Sequence, residues 1–484
     1  MMQTRVVRLA FAGSALVLAA ACSTMPSREP EAPPLPAAWV DAPVGAQIEL
    51  TQWWTKFNDP ALTRLIAEAL DRGPSVEIAA LRIQEARGQS RSTIGRYLPE
   101  LTVTGQGQYT RVLEGDVSSF PGVAAETERA TASYGPQVSW EIPLFARIEA
   151  SVVGARANEA SAQADYRAAR VALAADVAQA YVDLRAAANS RDALERAVET
   201  ADELARIVAI SADAGFAAQA DAADARRLAE STRTRLPGLV IEARRAENAL
   251  AVLRGYAPGT EEASVRTVLT AEAPVPSLPL NAAPAAPADL LRLRPDVARA
   301  EAQAVLAAAG LATARADLLP SLNLTGTVLA SETILGTAFS GDGVQLQATP
   351  FISIPLFDWG SRLGQVRVNN ARFEQSLIQY RQTVAQAVSE ASLALVSLDQ
   401  GRLRLASARR AEEAAEATAR GSRASYEAGI QSLADRLRSE QQLIDATLAR
   451  IDAEAQQASA AIATYRAFGG GAVEEAPQLA AAEQ

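Results

Sequence analysis

Two periodicities share this chain. From Leu101 the apolar and polar positions alternate with period two: Leu101, Val103, Gly105, Gly107 and Tyr109 fall on one side, Thr102, Thr104, Gln106, Gln108 and Thr110 on the other. That alternation predicts a strand. A second strand is predicted from Ser133 to Ile142, with Tyr134, Val138, Trp140 and Ile142 opposite Ser133, Gln137, Ser139 and Glu141. The design returns later, where Leu322, Leu324, Gly326 and Val328 oppose Asn323, Thr325 and Thr327. A fourth strand sets Val344, Leu346, Ala348, Ile352 and Ile354 against Gln345, Gln347, Thr349 and Ser353.

Elsewhere the spacing is helical. Val76 to Arg96 carries Ile78, Ala79, Arg82, Ile83 and Ala86 on one stripe after a Gly73-Pro74 start, and Leu98-Pro99 stops it. Ala150 to Ala212 and Arg362 to Ala428 contain no strong helix breaker. Some 63 residues of helix would reach roughly 95 Å, too long to fold back into a globule. Gly215 and Gly429 suit the left-handed position that ends a helix, and from each a second helix of about 40 residues returns, to Gly255 and Gly469.

The markers occur twice, in one order. Pro74, Leu98-Pro99, Leu101, Val103 and Gly105 correspond to Pro295, Leu319-Pro320, Leu322, Leu324 and Gly326, displaced by 221 residues. Ile142-Pro143-Leu144-Phe145 recurs as Ile354-Pro355-Leu356-Phe357, displaced by 212, and Asp213-Ala214-Gly215, Asp221 and Gly255 recur as Glu427-Ala428-Gly429, Asp435 and Gly469, displaced by 214. A tandem duplication is the simplest reading. It gives a first repeat over 51–270, a Pro-rich linker over 271–289, a second repeat over 290–469 and a tail over 470–484.

The N-terminus adds an address. Arg5 and Arg8 precede an apolar run from Leu9 to Ala21, too short to cross a bilayer and built like a secretory signal over 1–21. Residues 22–50 then read as a tether opening on Cys22, extended by the prolines between Pro26 and Pro36. Leu18-Ala19-Ala20-Ala21-Cys22-Ser23 resembles a bacterial lipobox with an outer-membrane sorting residue, although Ala19 stands where leucine is usual. An ordinary signal cut after an A-x-A pattern is the alternative.

Composition narrows the chemistry. The chain has 484 residues, a formal net charge of -10, no histidine and one cysteine. A Ser/His hydrolase is excluded, thiolate metal clusters lack ligands, and an acidic chain offers no footprint for nucleic acid. No cofactor, metal or catalytic residue is expected. The strand pattern fits either a transmembrane barrel, where lipid and lumen faces alternate, or a soluble hairpin with one buried face. Export favours the barrel. Four strands cannot close around a lumen, so several chains must share one barrel.

Further motifs carry a resemblance. Trp53-Trp54, Phe57-Asn58-Asp59-Pro60, Leu62 and Leu65-Ile66 stand in the first repeat; Leu290-Leu291-Arg292-Leu293-Arg294-Pro295-Asp296-Val297, Ala300-Glu301 and Leu319-Pro320-Ser321-Leu322 in the second. With these the chain resembles the TolC-like outer membrane factor family, more closely its lipoprotein branch serving tripartite efflux pumps. The resemblance implies a fold that is mainly α with transmembrane β: a trimeric α/β barrel, four strands and long helical hairpins per chain. It implies a homotrimer with a periplasmic extension in outer membrane lipid, working with a periplasmic adaptor protein and an inner-membrane efflux transporter. Function would be passive conduction of drugs or other small solutes. A duct for type I protein secretion and a non-conducting coiled-coil envelope lipoprotein are the alternatives.

The same resemblance points to site residues. Cys22 would carry the lipid. Asp221 and Asp435 match positions where acidic residues line the periplasmic entrance, although Arg438 replaces a second aspartate and Gln431 a basic residue. Asp224 stands at the place equivalent to Arg438, which allows an Asp224–Arg438 ion pair between neighbouring hairpins. Tyr109, Tyr134 and Trp140 would form part of an aromatic girdle at the membrane interface, with core packing as the alternative.

Overall fold

A computed structural model describes residues 30–36, 46–47, 50–111, 128–142, 147–260, 273–278, 282–283, 294–335 and 338–470. Its elements are β1 (Ala46–Gln47), a 3-10 turn (Trp53–Phe57), α1 (Pro60–Arg72), α2 (Pro74–Gly95), β2 (Glu100–Arg111), β3 (Glu128–Ile142), α3 (Arg147–Asp213), α4 (Gln219–Arg233), α5 (Leu236–Leu253), β4 (Ala282–Ala283), α6 (Pro295–Ala316), β5 (Ser321–Leu335), β6 (Ala338–Ser353), α7 (Ser361–Glu427) and α8 (Leu433–Ala467). The signal segment with Cys22, Pro143 to Phe145, Leu290 to Leu293, most of the Pro-rich linker and the tail after Gly470 lie outside the described residues.

The chain divides into two compact units. One holds Gln84–Ser161 and Glu301–Gln379 and is organised by a single sheet of order β2-β3-β5-β6, antiparallel throughout. The register keeps the two faces apart. Gly105 pairs with Tyr134, Tyr134 with Ala330 and Ala330 with Val344, while Thr102 pairs with Gln137, Gln137 with Thr327 and Thr327 with Gln347. Apart from Leu329 and Phe351, which fall in the polar rows, the apolar residues therefore gather on one face and the uncharged polar residues on the other. In the single chain that apolar face is bare: Val103 is 80% exposed and Leu346 79%.

Gly135 shows how tightly the ladder is drawn. A Cβ at this position would lie 1.8 Å from the Val328 carbonyl oxygen, and Pro136 follows it, so the close approach of β3 to β5 depends on glycine. Beneath the sheet, Phe373 and Leu377 of α7 pack on Ala304, Ala308 and Leu311 of α6. The Tyr97 and Ser151 hydroxyls lie 2.6 Å apart, joining the segment after α2 to α3.

The other unit contains Ala32–Ile83, Ala162–Ala300 and Tyr380–Gln484. Its core gathers the Trp-Trp motif: Trp53 stacks on Tyr465 at 5.0 Å and meets Trp54 and Phe57 edge-on. The Phe-Asn-Asp-Pro sequence that follows is a helix-start device. Asn58 takes a left-handed φ of 51° and closes the 3-10 turn. Asp59 caps α1 by accepting from Ala61 N at 2.8 Å and Leu62 N at 3.0 Å, and Pro60 occupies the first turn, where no amide hydrogen is needed.

Each of the long helices α3 and α7 has 67 residues, about 100 Å of helix. The return path differs between repeats. In the second it is one helix of 35 residues, α8; in the first it breaks after Arg233 into α4 and α5. The expected unbroken helix of about 40 residues therefore fails there. The reason is Pro237, which has no amide hydrogen and crowds the residue before it.

Replacing Gly135 with valine should separate β3 from β5. We expect a loss of about 3 kcal/mol or more, read as loss of the heat-resistant folded band in gel electrophoresis, whereas Gly107→Val, with open space around it, should fold normally.

Candidate functional site

The two hairpin turns are built alike. Gly215 (φ 78°) and Gly429 (φ 73°) both occupy the left-handed region. After them Phe216 N donates to Ser211 O at 2.8 Å and Ile430 N to Ser425 O at 2.8 Å, the six-to-one bond of a Schellman ending. Asp221 and Asp435, which the sequence offered as an acidic entrance, sit three residues into the return helices and there reach back to the cap residues Ala218 and Ser432. Asp221 Oδ2 accepts from Ala218 N at 3.4 Å, and Asp435 Oδ2 accepts from the Ser432 hydroxyl at 2.7 Å. Both carboxylates thus bond back to the cap residue of their helix, and in the second repeat the amide-accepting cap is the Ser432 hydroxyl, which takes the Asp435 N–H at 3.2 Å.

The expected Asp224–Arg438 pair does not form within the chain. Arg438 lies 3.2 Å from Asp435 and Asp224 3.5 Å from Arg227, each one turn away on its own helix. Side chains three residues apart on a helix are already neighbours, so within the chain each group has a local partner. All four groups are largely exposed, and such pairs contribute under about 1 kcal/mol.

Behind the turns the two hairpins share a core. Leu433 and Leu437 of α8 pack with Leu204 and Val208 of α3 and Leu228 of α4. Arg235 reaches Asp445 at 2.9 Å, and Arg436 lies over the Tyr426 ring at 5.1 Å. By contrast Phe216 is 89% exposed and Ile430 78%, so each turn presents an apolar tip. Sequence reasoning passed over these two side chains, although both follow a C-capping glycine directly.

Three buried polar clusters fix the helix ends of this unit. Arg254, without side-chain exposure, bonds Glu68 at 3.2 Å, and the Tyr256 hydroxyl donates to the other oxygen of Glu68 at 2.9 Å. In the second repeat Arg294 holds Asp296 at 2.7 Å, Glu390 at 2.6 Å and the carbonyl of Ala467 at 2.8 Å, tying the starts of α6 and the end of α8 to α7. The Arg-Pro-Asp motif is therefore a clamp between helices. Burial works to raise the Asp296 carboxyl, but the hydrogen bond and charge of Arg294 outweigh it and hold the group below its ordinary value. Tyr181 donates to Asp59 at 2.9 Å and accepts from Arg185 at 2.9 Å; burial pushes its hydroxyl up to about 12.

On the sheet, Tyr109, Tyr134 and Trp140 share the apolar face. Tyr134 sits midway along the β2–β3 ladder, opposite Gly105, while the other two lie toward opposite ends. Ala130, the partner of Tyr109, and Trp140 are ten residues apart on β3, about 33 Å along the strand and about 25 Å along the membrane normal at a tilt of about 40°. Trp140 Nε1 donates to Tyr97 O at 3.0 Å, so its polar edge is satisfied. The polar face carries Glu141, which Arg147 holds at 2.6 Å while also reaching Asp317 at 3.2 Å. Among the described residues no cluster could hold a metal ion, and no helix is long and apolar enough to cross a membrane.

Known proteins share this architecture. The chain matches the outer membrane efflux protein family twice, over residues 65–256 and 286–470. It is 28% identical to outer membrane protein OprJ of Pseudomonas aeruginosa, with 96% of each chain covered, and 26% identical to SilC of Salmonella typhimurium, named a probable outer membrane lipoprotein, with 88% of this chain and 89% of the relative covered. The solved structure of the outer-membrane channel OprN superposes with a TM-score of 0.82 at 26% identity, covering 93% of this chain and all of that one.

The Arg294 clamp gives a pH test. Because the Asp296 carboxyl is held low in the folded state, its contribution is complete above the unfolded value of about 4 and is lost as pH falls through the folded value. Arg294→Gln should cost about 3 kcal/mol at neutral pH, and the gap from wild type should narrow toward pH 2, measured by chemical unfolding followed by circular dichroism.

Proposed function

Since the chain belongs to the outer membrane efflux protein family and is an outer-membrane channel for efflux, we propose that three copies close one barrel and carry drugs or other small solutes passively outward. The observation that carries this is the sheet. Its outer strands β2 and β6 run in opposite directions, each with an unpaired edge. A rotation that sets β6 of one copy against β2 of the next therefore adds a further antiparallel pair, and repetition closes a ring. Three copies of four strands make twelve, an even number within the range of bacterial outer-membrane barrels. The apolar face then meets lipid, and the face of Thr, Gln, Asn and Ser residues lines a lumen with little fixed charge.

The helical hairpins extend the duct into the periplasm, and their tips form its inner end. There the exposed Phe216 and Ile430 provide a docking surface for a periplasmic adaptor, which links the duct to an inner-membrane transporter that supplies the energy. Asp221 and Asp435 bring carboxylates to the same tips, where a ring from three copies would favour cations. Arg438, 3.2 Å from Asp435, offsets the carboxylate of the second repeat.

Conductance of the purified protein in a planar bilayer tests the duct. We expect discrete channels, with Asp435→Ala lowering cation preference about twofold or more if these carboxylates line the constriction. Unchanged selectivity would move the constriction away from Asp435, and silence from every variant, including one loosened at Arg438, would sink the duct. The double variant Phe216→Ser, Ile430→Ser should keep its channels while losing drug export in cells.

A further inference from the structure

Between the two hairpins lies a cavity of about 340 Å³, a size at which small-molecule sites begin. Leu194 and Leu204 of α3 and Leu228 of α4 line it from the first hairpin, and Leu443 and Ile444 of α8 from the second. Charged side chains share the wall: Glu412, Glu416 and Arg423 of α7, Glu440 of α8 and, from α3, Arg196. Apolar cover and ionised groups thus meet in one space.

The chain itself does not exhaust the polar capacity of this lining. Arg423 donates to Glu440 Oε1 at 2.8 Å, while Arg450 and Arg420, which stand outside the lining, hold Glu412 at 2.6 Å and Glu416. A carboxylate has about four acceptor sites, and among the described residues no second side chain reaches any of the three. Glu440 is only 7% exposed, so its spare lone pairs are the costliest to leave unused. Beside it the Arg423 Nε is buried without a partner. The fold does not require this wall either. The displacement of 214 residues that relates the hairpins sets Val198, Asp202 and Arg226 in the first where the second has Glu412, Glu416 and Glu440. The first hairpin is thus built with one carboxylate where the second has three.

We infer that this cavity is a binding site for an amphipathic amine, a protonated nitrogen carried on an apolar body. An ammonium has donors and no acceptor, so it matches carboxylates with lone pairs to spare, and bonds between ionised partners are the strong ones. The leucine and isoleucine side chains take the apolar body out of water. An anion would face Glu440 at close range, and an uncharged hydrocarbon would strip water from that carboxylate without replacing it. Because both hairpins contribute to the walls, the bound amine braces one against the other. The site is formed within a single chain and does not depend on the barrel closing.

Equilibrium dialysis of the purified full-length protein in detergent tests the site, with proflavine as a planar aromatic cation and anilinonaphthalenesulfonate as an anionic probe. We expect saturable binding of one proflavine per chain and none of the anion. Glu440→Gln should weaken proflavine about tenfold or more through the loss of one charge-assisted bond. Ile444→Trp, which fills the cavity while keeping every charge, should abolish saturable binding. Proflavine should also raise the unfolding temperature of the wild type and leave that of Ile444→Trp unchanged. Circular dichroism establishes that each variant folds, and if one does not, the other decides. Absence of saturable binding, equal affinity in the wild type and either folded variant, or a preference for the anionic probe would overturn the inference.

Discussion

Unpaired backbone groups at the edges of a four-stranded sheet set the terms for the rest of this protein. In water such an edge is tolerated, but in hydrocarbon each orphan N–H or C=O costs several kcal/mol, so a membrane sheet must close. One chain supplies four strands, a bare apolar face and two antiparallel edges. Its stability as a membrane wall is therefore a property of the assembly, and large exposures such as that of Leu346 describe a subunit surface awaiting lipid.

Helix ends pose the same demand for partners in the other unit. Each long helix stops at a glycine, and each return helix begins by capturing a free amide, with the Asp221 carboxylate in the first repeat and the Ser432 hydroxyl in the second. At the opposite ends, the buried guanidinium groups of Arg254 and Arg294 bind carboxylates nearer the surface, and Arg294 also a carbonyl, where helices meet. A buried charge without its partner is far costlier than an exposed one, so these clamps hold the helix ends in register while the exposed pairs at the tips leave the turns weakly tied.

The duplication is not carried through evenly. Pro237 splits the return helix of the first repeat, while the second keeps one continuous α8. The starts of the repeats differ too. Gly73 leaves room for Leu173 and the end of α5, whereas its counterpart Arg294 reaches out to bind the end of α8. One fold thus serves two neighbouring positions with different local chemistry.

Periodicity alone determined the strands, the long helices, the glycine stops and the doubling of the chain, because each depends on residues close in sequence. The absence of histidine excluded a Ser/His hydrolase. Tertiary structure decided what those local patterns could not contain. It bonded Asp221 to Ala218 N and Asp435 to the Ser432 hydroxyl, set Arg438 beside Asp435 within the chain, placed Tyr134 midway along its ladder, and revealed the Arg-Pro-Asp motif as a clamp on a carbonyl 173 residues away. Side-chain partners compete at distances of a few ångströms, and the sequence does not order that competition until the backbone has brought the candidates together.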